Sequence, residues 1–331
     1  MKTIIKIADI PIGIELQNDG YLPAFSPYIT SEKPVFSISV TKDDIQKVRE
    51  RRKEYAEESE QYIEYMELYN KIADKMLNCD RAGFHGVAFL WQGKAWIFTA
   101  LSGTGKTTQY VLWKSLFGEE IQMINGDKPF LSFHDDEIIL YPSPWAGKEC
   151  LSQKITAPLG GIILLEQNKE NKITRLNPSE AAGMLFLQFM FSRENAEDVR
   201  KICELEEKLL TKIPVWKLMN RGDKESAKLC HDTLLEEKMK YILQKDVVLS
   251  TICGEQFLIA AGDARGRVPY IEGITKPGAY FWRMLEAGDS IESIIKTASA
   301  DYNTTEENAS IAFWKFAKSL EAKGYIKFSE N

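Results

Sequence analysis

The sequence predicts an α/β protein: a mixed sheet with one helix set into it, strands and helices ahead of that sheet, and a small winged-helix-like module behind it. Three observations carry the prediction. From Gly86 to Ile173, short runs rich in Val, Ile, Leu and aromatic residues alternate with turn residues. One helical stretch, Lys106 to about Leu116, interrupts those runs. After Asp246, three strand-like runs are followed by three helical ones. Runs of four to eight apolar residues bounded by turns read as strands, and apolar spacings of three and four read as helices.

The elements follow in order. Residues 1–40 read as short strands around Ile4–Ile5 and Phe36–Val40, separated by the turn signals Asn18-Asp19-Gly20 and Ser26-Pro27. From Asp43 to about Leu77, apolar residues at Ile45, Val48, Tyr55, Tyr62, Met66, Tyr69, Ala73 and Met76 stand among charges, which predicts one long amphipathic helix or two consecutive ones. Strand-like runs come at Val87–Trp91, Ala95–Ala100, Ile121–Ile124, Phe130–Phe133, Ile138–Tyr141 and Ile162–Leu165. His134-Asp135-Asp136 between two of them predicts a hairpin, hence a mixed rather than a purely parallel sheet. Residues 178–211 read as helical, opened by Asn177 as the cap and Pro178 at the first helical position. The last module has a hairpin of Val247–Ile252 and Gln256–Ala261 around Cys253-Gly254-Glu255, then a third strand within Val268–Ile274. Its helices are Pro277–Glu286, Ser290–Tyr302 and Thr305–Lys323. The reading divides the chain into residues 1–242 and 243–331.

Composition removes several function classes. The 331 residues are 44% hydrophobic and 27% charged, which excludes disordered and fibrous chains. Lys plus Arg number 42 against 48 Asp plus Glu, a net charge of −6, so no nucleic acid is expected as a partner. Cys79, Cys150, Cys203, Cys230 and Cys253 form no C-x-x-C pair, which argues against a zinc cage or a disulfide framework and for free thiols in the cytoplasm. The N-terminal apolar run is broken by Lys6, Asp9 and Pro11, and no run of 18 apolar residues occurs, so neither export nor a membrane is expected.

The chemical signal is the run from Trp96 to Thr108, an apolar strand leading through Ser102-Gly103-Thr104-Gly105-Lys106-Thr107 into a helix. Gly103 and Gly105 let backbone N–H groups converge on phosphate oxygens at the positive end of a new helix. Lys106 supplies a mobile cation for the outer phosphates, and the Thr107 hydroxyl suits Mg²⁺. Ala100 stands where the pattern G-x-x-x-x-G-K-T has its first glycine, a small-for-small replacement. Asp127 follows the run Ile121–Ile124, where a neighbouring strand would end beside the loop; a carboxylate there can hold Mg²⁺ or accept a hydroxyl proton. On its own, Asn125-Gly126-Asp127 reads equally well as a turn. His85, just before the preceding strand, reads alone as structural. After Pro142-Ser143-Pro144, the segment Trp145–Glu149 either presents Lys148 to phosphate and Glu149 to metal or is a surface loop.

Taken together, His85-Gly86-Val87, Gln92-Gly93-Lys94, the loop Ser102–Thr107 with Thr108 behind it, and the strand ending in Asp127 resemble the catalytic core of the HPr kinase/phosphorylase and PEP-carboxykinase-like family. The resemblance implies a P-loop kinase core using ATP and Mg²⁺, with Ser102–Thr108 and Lys148 binding nucleotide. It also implies that His85 and Asp127 flank the transferred phosphoryl group. Where the family usually has a second carboxylate beside the aspartate, this chain has Gly126, and Glu149 is the candidate replacement, so the implied metal set is Thr107, Asp127 and Glu149. The run Pro142–Glu149 and Ala157–Glu166 resembles the HPr-kinase-like proteins of ribosomal-peptide pathways, which phosphorylate serine on a precursor peptide. Residues Thr275–Gly288 and Leu320–Ile326 resemble the PqqD-like precursor-recognition domain, which implies that residues 247–331 bind a leader peptide as an added strand. Alternatives stay open at this point: a leader-binding chaperone that only senses nucleotide, or a kinase of a carrier protein or small molecule. Assembly into a homo-oligomer is also open.

Overall fold

The computed structural model describes residues 1–134, 136–147 and 151–330. The chain divides into two compact units, Met1–Cys230 and His231–Asn331. The sequence boundary at residue 242 falls inside a strand of the second unit. Lys148, Glu149, Cys150 and Asp135 lie outside the described residues, and among the described ones no helix is long and apolar enough to cross a membrane.

The first unit opens with an antiparallel pair, β1 (Lys2–Ile7) and β2 (Ile10–Glu15), to which β3 (Phe36–Ser39) adds in parallel. A short turn of helix, α1 (Leu22–Phe25), lies between β2 and β3. The helical reading of residues 43–77 resolves into two helices, α2 (Lys42–Arg51) and α3 (Glu60–Met76). Arg52 is extended, and Ser59 starts α3 by accepting from the Tyr62 N–H. Between them Tyr55 is the one large apolar group among charges, so a continuous helix there would have almost nothing to bury. Ile63, Leu68, Ile72 and Met76 of α3 pack on Ile5, Ile12 and Ile14 of the strands and on Trp145.

The large sheet follows: β4 (Arg81–Phe84), β5 (Val87–Trp91), β6 (Lys94–Thr99), then helix α4 (Lys106–Phe117), then β7 (Gln122–Asn125), β8 (Phe130–Ser132), β9 (Ile139–Tyr141) and β10 (Ala157–Gln167). It is completed by β11 (Lys172–Leu176), α5 (Pro178–Phe186), β12 (Phe189–Met190), α6 (Ala196–Lys212), β13 (Val215–Asn220) and α7 (Lys224–Lys238). Its ten strands run in the order β12-β4-β8-β9-β10-β6-β5-β7, with β13 against β10 and β11 against β13. The sheet is mixed, as the hairpin signal predicts: β8 and β9 are antiparallel, whereas β10 runs parallel to β6 and to β13. Strand β10 serves two partners in succession, pairing through Ala157 and Pro158 with β9 and from Leu159 onward with β6.

Alternation along the strands sorts the two faces. Phe89, Trp91 and Phe98 meet Trp113 of α4, with ring centroids 5.3 to 5.7 Å apart. Ala88, Ile97, Ile162 and Leu164 share the core that includes Ala181 and Leu185 of α5 and Ile202, Leu205 and Leu209 of α6. The helical reading of 178–211 is therefore corrected to α5 and α6 separated by β12. Tertiary pairing overrides the local pattern there: Gln188 O accepts from the His85 N–H at 2.8 Å, Phe189 and Met190 pair with β4, and the Phe189 ring meets Phe84 edge-on at 5.2 Å.

The second unit has a three-stranded antiparallel sheet, β15 (Val247–Ile252), β16 (Glu255–Ala260) and β17 (Ile271–Ile274), with β17 at one edge. Cys253 and Gly254, both at positive φ, make the two-residue turn between β15 and β16. Helices α8 (Lys276–Ala287), α9 (Ile291–Asp301) and α10 (Glu306–Glu321) are capped by Thr275, Ser290 and Thr305. Phe281, Trp282, Ile294, Phe313 and Tyr325 form its core with Leu258. A two-stranded sheet of β14 (Met239–Leu243) and β18 (Ile326–Glu330), absent from the sequence reading, completes it.

One buried acid in the first unit sets a pH dependence. Glu206 of α6 is 7% exposed and its Oε1 has no hydrogen-bond partner. Burial pushes its pKa up to about 7, against a smaller opposing effect of the Phe186 N–H. A carboxyl that stays protonated in the folded state costs stability once the unfolded chain ionises, so the loss accumulates as pH rises from the ordinary glutamate value to about 7. Glu206→Gln is expected to flatten that loss, and melting temperatures at pH 5 and pH 8 should differ less in the variant by at least about 2 °C; equal differences would place the acid in water.

Candidate functional site

Strand direction gathers the site. β5 lies between β6 and β7 and is antiparallel to both, so β6 and β7 run the same way and end at the same edge, where β5 begins. Three segments therefore meet there: the loop after β6, the residues after β7, and His85 just before β5. Two hydrogen bonds fasten them, Thr99 Oγ1 donating to His85 O at 2.7 Å and Gly86 N–H to Asp127 O at 2.8 Å. The end of β10 reaches the same edge, where Gln167 Nε2 stands 3.5 Å from Thr104 O.

The loop Ser102–Gly105 runs directly into α4. Gly103 and Gly105 both have positive φ, a conformation that costs other residues, and Gly105 is the residue before the first turn of the helix. Nothing stands within 4 Å of the place a Gly103 Cβ would take. The loop is thus open above a helix N-terminus, the geometry that admits an anion. Ser102, Gly103 and Thr108 are exposed, and Thr104 and Thr107 half-buried. Thr104 Oγ1 donates to Leu101 O at 2.9 Å. Lys106 is 8% exposed, and its Nζ donates to Ala100 O at 3.1 Å and Leu101 O at 3.3 Å. Burial pulls the Lys106 pKa below its usual value, Asp127 opposing and Lys128 adding to the drop.

Asp127 is held from several sides. The buried Asn125 side chain accepts from the N–H groups of Asp127 (3.0 Å) and Lys128 (2.8 Å) and donates to Ser143 O at 2.9 Å. Gly126 fits between two backbone carbonyls: a Cβ there would stand 2.5 Å from Ala146 O and 3.3 Å from Leu151 O. One Asp127 oxygen lies 3.5 Å from His85 Nε2, and the other accepts from the Lys128 ammonium. Burial works against ionisation of Asp127, but the His85 imidazole and the Lys128 charge outweigh it and hold the pKa at about 2.

Of the residues singled out in the sequence, the structure brings the loop Ser102–Thr107, His85 and Asp127 to one edge, and leaves Thr108 on the outer side of α4; Lys148 and Glu149 lie outside the described residues. Sequence reasoning missed Lys128, Asn125 and Ser143. The signal available was Asn125-Gly126, read there as a turn; that the Asn side chain would hold the two following amides depends on Ser143 arriving from elsewhere in the chain. The residues present fit a nucleotide with its cation. Ser102–Thr107 would hold the phosphates, and Thr107 and Asp127 offer oxygen ligands. Among the described residues no cluster of three or more His, Cys, Asp or Glu suits a metal; Mg²⁺ generally needs only one or two carboxylates beside phosphate and water.

No family model matches the chain, and no curated protein matches it. Among solved structures, the chain is similar to the HPr(Ser) kinase/phosphatase from Coxiella burnetii, with 10% sequence identity and a TM-score of 0.28, over 46% of this chain and 93% of that one.

Gly126→Ala tests the packing of the site. The added methyl meets backbone oxygen on both sides, so the Asp127 turn has to shift. The variant is expected to melt at least about 3 °C lower and to lose the close contact of His85 with Asp127, followed by a change in the imidazole chemical shifts; an unchanged spectrum would show that the turn has room.

Proposed function

We propose that the first unit transfers the γ-phosphoryl group of ATP to a serine hydroxyl of a ribosomally made precursor peptide, and that the second unit binds the leader of that peptide. One observation carries the phosphotransferase part: the open Gly103–Gly105 loop with Lys106, the His85 side chain and the Asp127 carboxylate lie at one edge of the sheet, joined by the bonds Thr99 to His85 and Gly86 to Asp127. The sequence resemblance to HPr-kinase-like proteins supplies the substrate class.

In the proposed reaction the bond between the γ-phosphorus and the β–γ bridging oxygen breaks, a new bond forms from serine Oγ to that phosphorus, and ADP leaves. The serine proton passes to the Asp127 carboxylate. A pKa held at about 2 makes Asp127 a weak base. That is enough where the transition state is loose, because orientation of the hydroxyl and neutralisation of phosphate charge then matter more than proton abstraction. Mg²⁺, held by Thr107 and Asp127, would supply that neutralisation. Loop amides and Lys106 would bind the phosphates, and His85 would orient Asp127.

The leader part rests on the PqqD-like resemblance and on the small sheet of the second unit. Its edge strand β17 exposes Ile271, and the adjoining Tyr270 is exposed as well. An extended peptide added to such an edge gains main-chain hydrogen bonds and side-chain contacts. Tethering the leader raises the effective concentration of a distant hydroxyl at the phosphate loop.

Two outcomes test the two parts separately. Asp127→Asn keeps shape and removes charge, and the rate of phosphoryl transfer from ATP to the precursor is expected to fall at least about a hundredfold; a loss of a few fold would reduce Asp127 to a turn residue. Ile271→Asp is expected to raise KM for a leader-bearing peptide by about tenfold or more with kcat preserved, the mark of lost ground-state binding. The same variant should treat a leaderless peptide as the native protein does. An unchanged KM would remove the leader from β17.

A further inference from the structure

Lys128 stands next to Asp127 with its backbone pinned on three sides. Its N–H donates to Asn125 Oδ1 at 2.8 Å and to Trp145 O at 3.1 Å, and its carbonyl accepts from Ser143 Oγ at 2.6 Å. The side chain is 13% exposed and its ammonium sits on one oxygen of Asp127. The buried Lys106, whose Nζ donates to Ala100 O and Leu101 O, feels both charges: Asp127 raises its pKa and Lys128 lowers it. Among the described residues, the Lys128 ammonium and the His85 imidazole contact the Asp127 carboxylate, and the buried Lys106 adds a second ammonium whose charge Asp127 feels. Two ammonium groups thus share one carboxylate among the described residues, in surroundings that make an unpaired charge expensive. A lysine kept only as the counter-ion of Asp127 would not need a second one beside it.

We infer that Lys128 is a second phosphate-binding lysine of the site, resting on Asp127 as the structure shows it and moving to the oxygens of the transferred phosphoryl group when nucleotide and Mg²⁺ are bound. The inference rests on the phosphotransferase reading above. The exchange has a simple electrostatic logic. With a divalent cation held at the Asp127 oxygen that Lys128 now occupies, the Lys128 ammonium would be released, and the phosphates would offer the negative charge that it then meets. Lys106 serves the outer phosphates from the loop side, and Lys128 approaches from the Asp127 side, where the acceptor hydroxyl has to lie.

The test is a binding measurement on the full chain, with MgADP alone and with MgADP plus aluminium fluoride, which imitates the phosphoryl group in flight. Lys128→Met is expected to bind MgADP within about twofold of the native protein and MgADP–aluminium fluoride at least about tenfold more weakly, the size of one lost hydrogen bond to a charged group. Lys128→Arg, which keeps the cation, should retain most of the discrimination and gives the reading if Lys128→Met fails to fold. Equal affinity of Lys128→Met and native protein for the fluoride complex would overturn the inference and leave Lys128 as the counter-ion of Asp127. An equal loss for both ligands in a folded variant would overturn it too, by making the lysine part of the scaffold. A native protein that binds MgADP with no gain from fluoride refutes this role while leaving nucleotide binding intact, whereas a native protein that binds no MgADP refutes the phosphotransferase reading and this inference with it.

Discussion

The antiparallel insertion of β5 between β6 and β7 is the constraint on which the site depends. It turns two strands that are separated in the chain by a helix into parallel neighbours-but-one whose ends coincide. Gly86, at the start of β5, makes the insertion tight, since a Cβ there would meet Ile97 Cγ2 at 2.4 Å and Phe98 O at 2.9 Å. With the strand this close, the Thr99 hydroxyl reaches the His85 carbonyl and the Gly86 amide reaches the Asp127 carbonyl. The loop after β6, the imidazole and the carboxylate are therefore positioned by the ladder itself, and side-chain contacts only refine their orientation.

The refinement is done by buried amide chemistry. Asn125 is fully buried, and both ends of its side chain are used: the oxygen accepts from two consecutive N–H groups and the nitrogen reaches the Ser143 carbonyl. Ser143, also fully buried, donates a hydrogen bond from its hydroxyl to Lys128 O and accepts one from the Trp145 N–H. Trp145 in turn donates from its indole to Tyr65 O on α3. The Asp127 turn is thereby tied to α3, which supports the residue on which the proposed chemistry turns.

What could be read in the sequence was what local rules control. Loop, helix α4 and the strands on either side of it follow from apolar runs and two glycines, and the Asn177 cap of α5 was legible because capping is a relation between residues three apart. Elements defined by distant partners were not. β4 is four residues long and interrupted by Gly83, β12 is two residues drawn out of a helical pattern by His85 and Phe84, and β14 becomes a strand only because β18 returns to it from the end of the chain. The same division runs through the site. His85 and Asp127 stand at motif positions, whereas the surroundings of Lys128 depend on Ser143 and Trp145, whose approach no spacing rule encodes.

Strand β10 deserves a last consequence, because it is hydrogen-bonded to β9 at its start and to β6 and β13 along the rest. During synthesis the strands before it emerge first, and until residues 157–167 have left the ribosome the edges of β6 and β9 have no partner. Unpaired edges of this kind invite pairing with other chains. Closing them takes a strand buried throughout Gly161–Leu165, and this strand in turn waits for β13 on its far side. Vectorial synthesis thus makes residues 157–220 the segment whose arrival converts two incomplete half-sheets into one, and a nascent chain stalled before that segment would present aggregation-prone edges to its surroundings.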